Sequence, residues 1–305
     1  MQHVEGNRTA VLMKSAATSD VDRTIRIAAL LTSHNRRETT LRSLQALFAQ
    51  GIPQDMYLTA MLVDDGSDDG TATAVKSAFP QVRLLHGDGS LYWDGGMRMA
   101  FAEAMKGRFD HYLWLNDDTL LDNDAIAKVT DTYQKLTTNR DSRVIIVGST
   151  RDPDTGRLTY GGLVRASHLH PLKFRLLHPA GYAQRCVTMN GNVVLVPRVV
   201  AELAGNISED FTQSMGDFDY GLRAGKLGCA IWVAPGFVGE CRKNGVVNTW
   251  LDSSLALRVQ VGKTLGVKGL PPAEYRRFAR AHGGPLWPLF WLTPYIRVAL
   301  SRLFR

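Results

Sequence analysis

Leu58–Thr71 reads LTAMLVDDGSDDGT: a short apolar run, then paired aspartates, a glycine and a serine. An apolar run of this length, closed by turn residues, reads as a strand buried on both faces. A helix to about Phe79 is expected next, with Ser67 and Asp68 as its caps. The same grammar recurs on either side. Ile25–Leu31 (IRIAALL) leads into Thr32-Ser33-His34-Asn35-Arg36, and His111–Leu115 (HYLWL) leads into Asn116-Asp117-Asp118-Thr119. Val82–Leu85 and Val144–Val147 supply two further strands, and helical stripes at Arg36–Gln50, Met97–Met105 and Asp124–Leu136 lie between strands. Strands alternating with helices predict an α/β fold around a mostly parallel, Rossmann-like sheet. Ligands in such sheets sit at the carboxyl ends of strands. The three polar clusters are therefore expected along one edge.

The chain has 305 residues, 45% of them hydrophobic and 21% charged. That supports a sizeable core in one large domain or two modest ones. A net charge of +7 suits an anionic partner. Cys186, Cys229 and Cys241 lack any CxxC spacing and read as reduced thiols of a cytoplasmic protein. Residues 1–24 carry no apolar core and read as a flexible leader. After residue 150 the pattern changes to Gly, Pro, His and Arg, with strands at Val193–Val196 and Cys229–Val233 and a helix start at Gly216-Asp217. The expected division is a domain at 25–245, split near 150 into a nucleotide-binding half and a smaller second half, then a basic extension at 246–305. Leu286–Phe304 is the most apolar stretch, but Pro288, Pro294, Arg297 and Arg302 interrupt it. It fits a helical, amphipathic segment on the inner face of a membrane, with Trp287, Trp291 and Tyr295 at the headgroups beside Arg276, Arg277 and Arg280.

Three carboxylate clusters carry chemistry. Hard cations such as Mg2+ and Mn2+ take oxygen ligands, few from protein and the rest from phosphate and water. Alternation along an extended chain puts Asn116 and Asp118 on one face, so Asp118 is the expected ligand, Asn116 its partner and Asp117 the last of the three. The bland reading is an acidic cluster complementing the dipole of the following helix. Asp64 and Asp65 end the second strand, where a carboxylate can accept the imide N–H of uracil or thymine; the bland reading is an Asp-Gly-Ser turn. Asp217 is a candidate general base, or a helix N-cap, or both. Isolated His34, His86, His111 and His282 read as surface or satisfied core residues, Trp114 as core and Cys229 as inert.

The ordered set TSHNRR (32–37), VDDGSDDGT (63–71), GSLYWDGGMRMAF (89–101), WLNDDT (114–119), NGNVVLVPR (190–198) and GDFDYGLRA (216–224) resembles the inverting family 2 glycosyltransferases of GT-A fold. It looks nearest to the rhamnosyltransferase-like branch that builds bacterial surface polysaccharides, over roughly residues 25–245. Order and spacing carry the resemblance, since no single motif is specific. It implies that Thr32, Asn35 and Arg36 line the nucleotide with Asp65 on the base. It implies a loop near the ribose and donor sugar formed by Tyr92, Trp93, Asp94, Gly95 and Gly96, and Gly191 and Asn192 beside the diphosphate and sugar. Asn116 and Asp118, with Asp117 between them, stand for the metal-binding DxD, and Asp217 for the base of the "ED" pair. Three departures stand out: Asn116 opens the DxD, Gly216 replaces the Glu of "ED", and Gly239-Glu240-Cys241-Arg242 stands where many relatives carry a metal-proximal His. Glu240 is the expected substitute oxygen ligand.

The expected activity is transfer, with inversion, of a sugar from a UDP- or dTDP-linked donor to a glycan or lipid-linked acceptor. A monomer and a homodimer both remain open. A nucleotidyltransferase would need a Gly-rich, Arg-containing loop after the first strand, and a dehydrogenase a GxGxxG there. Thr32–Arg36 contains no glycine. A non-catalytic sugar- or lipid-binding homologue is the other alternative. Nucleic acid is not expected, because the cations are not interleaved with aromatics in a known module.

Overall fold

The computed structural model describes residues 24–138 and 140–300. The leader expectation, Arg302 and Phe304 lie outside those residues, save Thr24. The order begins β1 (Ile25–Ser33), α1 (Arg37–Phe48), β2 (Met56–Asp64), α2 (Thr71–Ala78), β3 (Arg83–His86) and α3 (Tyr92–Met105). Then come β4 (His111–Leu115), β5 (Leu120–Leu121), α4 (Ala125–Thr137) and β6 (Val144–Arg151). Short strands follow: β7 (Leu158–Tyr160), β8 (Gly162–Arg165), β9 (Phe174–Leu176), β10 (Gln184–Cys186) and β11 (Thr188–Met189). The chain continues through β12 (Val193–Pro197), α5 (Arg198–Ala204), α6 (Gly216–Lys226) and β13 (Ala230–Glu240) to α7 (Leu257–Leu265), α8 (Pro272–His282) and α9 (Trp287–Leu300).

The main sheet runs β10-β13-β6-β12-β4-β1-β2-β3, with β5 pairing β13 and β7 pairing β6. Its β1, β2, β3 and β4 are mutually parallel. Strand β12 is inserted antiparallel between β4 and β6, so strands from both sides of residue 150 share one sheet. A small antiparallel sheet, β11-β8-β9, lies apart.

Strand β1 shows why the sheet is central. Ile27, Ala29 and Leu31 pack against Leu44, Leu47 and Val75 of α1 and α2 on one face. Ala28 and Leu30 pack with Met97, Phe101 and Tyr220 of α3 and α6 on the other. Alternating side chains thus bury both faces. A third cluster joins Phe211, Met215 and Leu222 to Tyr275 and Phe278 of α8, with Trp291 and Tyr295 of α9 packed on it. The C-terminal helices are therefore fastened to the body at α6.

Three local expectations change. Helix α3 starts at Tyr92 rather than Met97, because the Asp65 carboxylate accepts the Tyr92 N–H at 3.0 Å and caps the helix from another element. Ser67 and Asp68 do not cap α2; Asp69 accepts the N–H of Thr71 at 3.0 Å and of Arg37 at 2.9 Å, serving two helices. No helix follows Asn116–Thr119 directly, since β5 intervenes and pairs with β13. The dipole reading of that cluster falls with it. No helix among the described residues is long and apolar enough to cross a membrane. Trp291 and Tyr295 are half-buried, and their Nε1–H and O–H donate to the carbonyls of Pro272 and Leu270 at 3.1 and 2.8 Å. The exposed side of α9 is aliphatic instead, with Leu289, Leu292, Ile296 and Leu300.

Candidate active site

A cleft of about 360 Å³ opens where β1, β2 and β4 end, lined by Thr32, Ser33, His34, Arg36, Asp65 and Asp117. Gly89, Tyr92, Trp93, Gln213 and Lys268 complete it. Of the residues expected to line the nucleotide, Asn35 is turned away. Its backbone is left-handed (φ 53°), its N–H donates to Ser67 Oγ at 2.9 Å, and its Oδ1 accepts the Asp68 N–H at 2.9 Å. It braces the 67–69 loop from outside. Asp65 is 2% exposed and already engaged, accepting from Gly89 N–H at 2.9 Å as well as from Tyr92. Each carboxylate oxygen has capacity for one further hydrogen bond, and the residue lines the cleft. Gly66 permits this approach twice over: its φ is +65°, and a Cβ there would lie 2.8 Å from Gly89 N.

Tyr92 and Trp93 face the cleft, but Asp94, Gly95 and Gly96 belong to the first turns of α3 and are buried. They form no donor-sugar loop. Gly96 is needed because a Cβ would meet Thr32 Oγ1 at 2.0 Å, so only glycine lets α3 settle on β1.

After β4 the chain turns, with Thr119 N–H donating to the Asn116 carbonyl at 3.2 Å. Strand alternation ends there, and both aspartates meet one guanidinium: Arg36 Nη1 donates to Asp117 Oδ1 at 3.0 Å and to Asp118 Oδ2 at 2.9 Å. Asp117 is buried, and burial pushes its pKa up to about 6 against the pull of Arg36. Asp118 keeps 26% side-chain exposure. Asn116 Oδ1 accepts the Trp93 indole N–H at 2.8 Å, which ties this turn to α3.

Asp217 stands in the first turn of α6, half-buried, with Oδ2 accepting the Gly191 N–H at 2.9 Å and Oδ1 the Phe218 N–H at 2.8 Å. Burial raises its pKa to about 6 despite those bonds. Behind it lies Asp94, fully buried, with Oδ2 accepting from Gly216 N–H at 3.3 Å and Oδ1 unpartnered among the described residues. Burial first, and the Asp217 charge second, hold Asp94 well above the carboxylate range. A Cβ at Gly216 would fall 2.2 Å from Asp94 Oδ1. The space that a Glu at 216 would enter is thus filled by a carboxyl from α3. Gly191 is equally enforced, since its Cβ would lie 2.3 Å from the Trp93 ring. Asp219, one residue beyond, serves packing: it pairs with Arg223 at 2.6 Å and with buried His282 at 2.8 Å.

Glu240 is not brought to the Asp118 carboxylate. It lies on β13 opposite Leu120 and pairs with Arg151 at 3.2 Å, alongside the Arg151–Asp122 bridge. Cys241 takes the place instead, its thiol donating to Asp118 Oδ1 at 3.4 Å and accepting from Asn192 Nδ2 at 3.5 Å. Burial, then the Asp118 charge, push that thiol up to about 12, so it is protonated and a poor ligand for a hard cation. Among the described residues no three His, Cys, Asp or Glu side chains converge on a metal-sized point. What fits is a cation carried by diphosphate oxygens and water with Asp118 as its one protein carboxylate, a donor set Mg2+ accepts.

His34, Gln213, Lys268 and Cys241 join the site without having been singled out for it. The His34 ring Nδ1 contacts the Asp65 carbonyl at 2.5 Å, and Gln213 Oε1 accepts the Trp93 N–H at 3.3 Å. His34 sat inside a strand-end cluster, a signal the general reading of single histidines overrode. Lys268 lies in Val267-Lys268-Gly269-Leu270-Pro271-Pro272, a lone lysine in a Gly/Pro turn.

Residues 29–180 match the model of the family described as Glycosyl transferase family 2. The fold is shared with S. aureus TarS 1-349, at 11% identity over 90% of this chain and 74% of that one, with a TM-score of 0.52. It is also shared with the mannosyltransferase PcManGT from Pyrobaculum calidifontis in complex with GDP-Man and Mn2+, at 16% identity over 90% and 70%, with a TM-score of 0.52. TarS 1-349 in complex with UDP-GlcNAc aligns at 11% identity over 84% and 71%, TM-score 0.52. No curated protein sequence matches the chain. From the family match over the strand-end motifs and the sheet that carries them, the chain is a glycosyltransferase of GT-A fold with a family 2 domain at residues 29–180.

Proposed function

We propose that the chain transfers a sugar, with inversion, from a nucleoside diphosphate sugar to a hydroxyl of a glycan or lipid-linked acceptor. The observation that carries this reading is the join between two half-sites. Asp118, Cys241 and Asn192 connect in series beside the donor cleft, and Gly191, next in the chain, donates to Asp217. The base folds into the Asp65 side of the cleft, which favours an imide-bearing uracil or thymine. Asp217, with its pKa lifted to about 6, takes the acceptor proton as the hydroxyl attacks the anomeric carbon. Asp118 would hold Mg2+ or Mn2+ together with the donor diphosphate, where the cation would supply charge stabilisation for the departing phosphate. The PcManGT complex contains GDP-Man and Mn2+, and a TarS complex contains UDP-GlcNAc, which supports a nucleotide-sugar cleft in this fold.

The rhamnosyltransferase-like branch of bacterial surface polysaccharide synthesis is the proposed setting, on the ordered motifs alone. The exposed Leu289, Leu292, Ile296 and Leu300 side of α9, with Arg297 beside it, supports docking on an anionic cytoplasmic membrane face. The test is a donor screen by thermal shift and hydrolysis with UDP-, dTDP- and GDP-sugars, with and without Mn2+. A UDP- or dTDP-sugar is expected to stabilise and turn over, and Asp118→Ala to lose the Mn2+-dependent part. Absence of stabilisation and hydrolysis with every donor sinks the proposal.

A further inference from the structure

We infer that the 246–305 extension builds one wall of the donor cleft and that Lys268 is its diphosphate-binding cation. The inference rests on the donor reading above. The charges already lining the cleft argue for it. Arg36 is shared between Asp117 and Asp118, and Asp65 adds another carboxylate, so carboxylates outnumber the one guanidinium. Such a cleft repels a diphosphate. Lys268 is the lining cation with no internal counter-charge: it makes no hydrogen bond or ion pair among the described residues.

The backbone that carries Lys268 is firmly held, although its side chain is exposed. Gly269 N–H donates to the Gly266 carbonyl at 2.8 Å, and Leu270 N–H to the Thr264 carbonyl at 2.7 Å. Only glycine fits at 269, because a Cβ would lie 2.2 Å from the Lys263 carbonyl oxygen and 2.5 Å from that of Thr264. The next residue, Leu270, packs on the Phe211–Tyr275–Phe278 cluster and accepts the Tyr295 O–H at 2.8 Å. The same helices also hold a second lining segment. Glu274 of α8 accepts from Thr212 Oγ1 at 2.9 Å, next to the cleft residue Gln213. A lysine on a fixed turn, with a free ammonium, is suited to a charge-assisted bond to phosphate oxygen. The bond strengthens as negative charge develops on the leaving diphosphate.

The test compares the full chain with Lys268→Ala and Lys268→Arg by calorimetric titration of UDP, dTDP and GDP and the corresponding nucleosides, in low salt with chelator and again with Mn2+. For the diphosphate the wild type prefers, Lys268→Ala is expected to weaken binding about tenfold or more, Lys268→Arg to restore most of it, and the nucleoside affinity and melting temperature to stay constant. Equal loss for nucleoside and diphosphate makes Lys268 a packing residue and overturns the inference. So does unchanged diphosphate binding in Lys268→Ala. A wild-type chain that binds no diphosphate overturns the donor reading, and this inference with it.

Discussion

The molecule buries two acid pairs within one site and treats them oppositely. At the Asn116–Thr119 turn, Asp117 and Asp118 share the Arg36 guanidinium. Where α3 meets the start of α6, Asp94 and Asp217 each accept only from backbone N–H groups, and the cation that weighs on Asp94, Arg98, is spent on the carbonyls of Ser208 and Phe211. Burial lifts Asp117 and Asp217 to about 6 alike. The equal values hide different physics. A cation offsets the burial of Asp117 and locks its geometry. Asp217 has no cation to satisfy, so its lone pairs remain available and its proton affinity lies near neutral pH. The first pair is suited to hold charge and the second, on the proposed reading, to move a proton.

The largest expected effect separates them by kinetics. Asp217→Asn keeps the side chain's shape but can accept only one of the Gly191 and Phe218 N–H groups, and it cannot take a proton. Turnover is expected to fall about 10³-fold, within the span of general-base catalysis, with nucleotide affinity almost unchanged. In the wild type, turnover falls about tenfold per pH unit below about 6, as Asp217 takes up a proton. Near-normal turnover in Asp217→Asn removes that residue from the role. Next in size is packing around the second pair. Gly216→Ala drives a methyl into the Asp94 carboxyl and is expected to cost about 1–3 kcal/mol of unfolding free energy. Asp94→Ala vacates that space, so the double variant should recover much of the loss. Strictly additive losses in a denaturant melt break the claim that Asp94 fills the place of a Glu at 216.

How far the sequence discloses this site follows from how local each feature is. The ends of β1, β2 and β4 are readable because an apolar run and its closing cluster are adjacent in the chain. The start of α3 is not, since Gly95 and Gly96 weaken the helix signal and the contact that requires Gly96 is with Thr32, far away in the chain. Asn35 and Asp65 were legible as cluster members. That their polar groups are spent on Ser67, Asp68, Gly89 and Tyr92 depends on loops that meet in space. Alternation does not disclose that Asp117 meets the same guanidinium as Asp118, because the strand has already turned. The Gly216–Asp94 contact joins residues 122 apart, and Lys268 reaches the cleft from an extension read as a tail.

A smaller effect distinguishes the pairs by pH-dependent stability. Both Asp117 and Asp217 have folded-state values near 6, above an unfolded value of about 3.9. The folded chain therefore binds these protons more tightly, a contribution fully present below about 4 and lost as pH rises through about 6. Asp217→Asn removes that loss, so its stability relative to wild type should rise between about pH 5 and 7.5, by equilibrium unfolding, against a constant cost for the one N–H it no longer accepts. Asp117→Asn should gain less, because it also takes one partner from Arg36. Equal gains mean that Arg36 does not distinguish the two pairs.

The smallest effect concerns where the cation-holding pair ends. If Asp118 is its outer limit, Glu240 contributes only to the bridge with Arg151, at 35% and 29% side-chain exposure. Half-exposed pairs of this kind are worth roughly 0–1 kcal/mol. Glu240→Gln should therefore cost less than about 1 kcal/mol and leave the Mn2+-dependent thermal shift with a nucleotide-sugar unchanged. Loss of that shift would return Glu240 to the cation and extend the first pair across β13. Cys241→Ser is the matched control, because it alters the group that touches Asp118 Oδ1 while leaving the Glu240–Arg151 bridge intact. A shift that responds to Cys241→Ser and ignores Glu240→Gln confines the cation to the Asp118 side, where the thiol acts through the Asp118 carboxylate it touches and Glu240 takes no part.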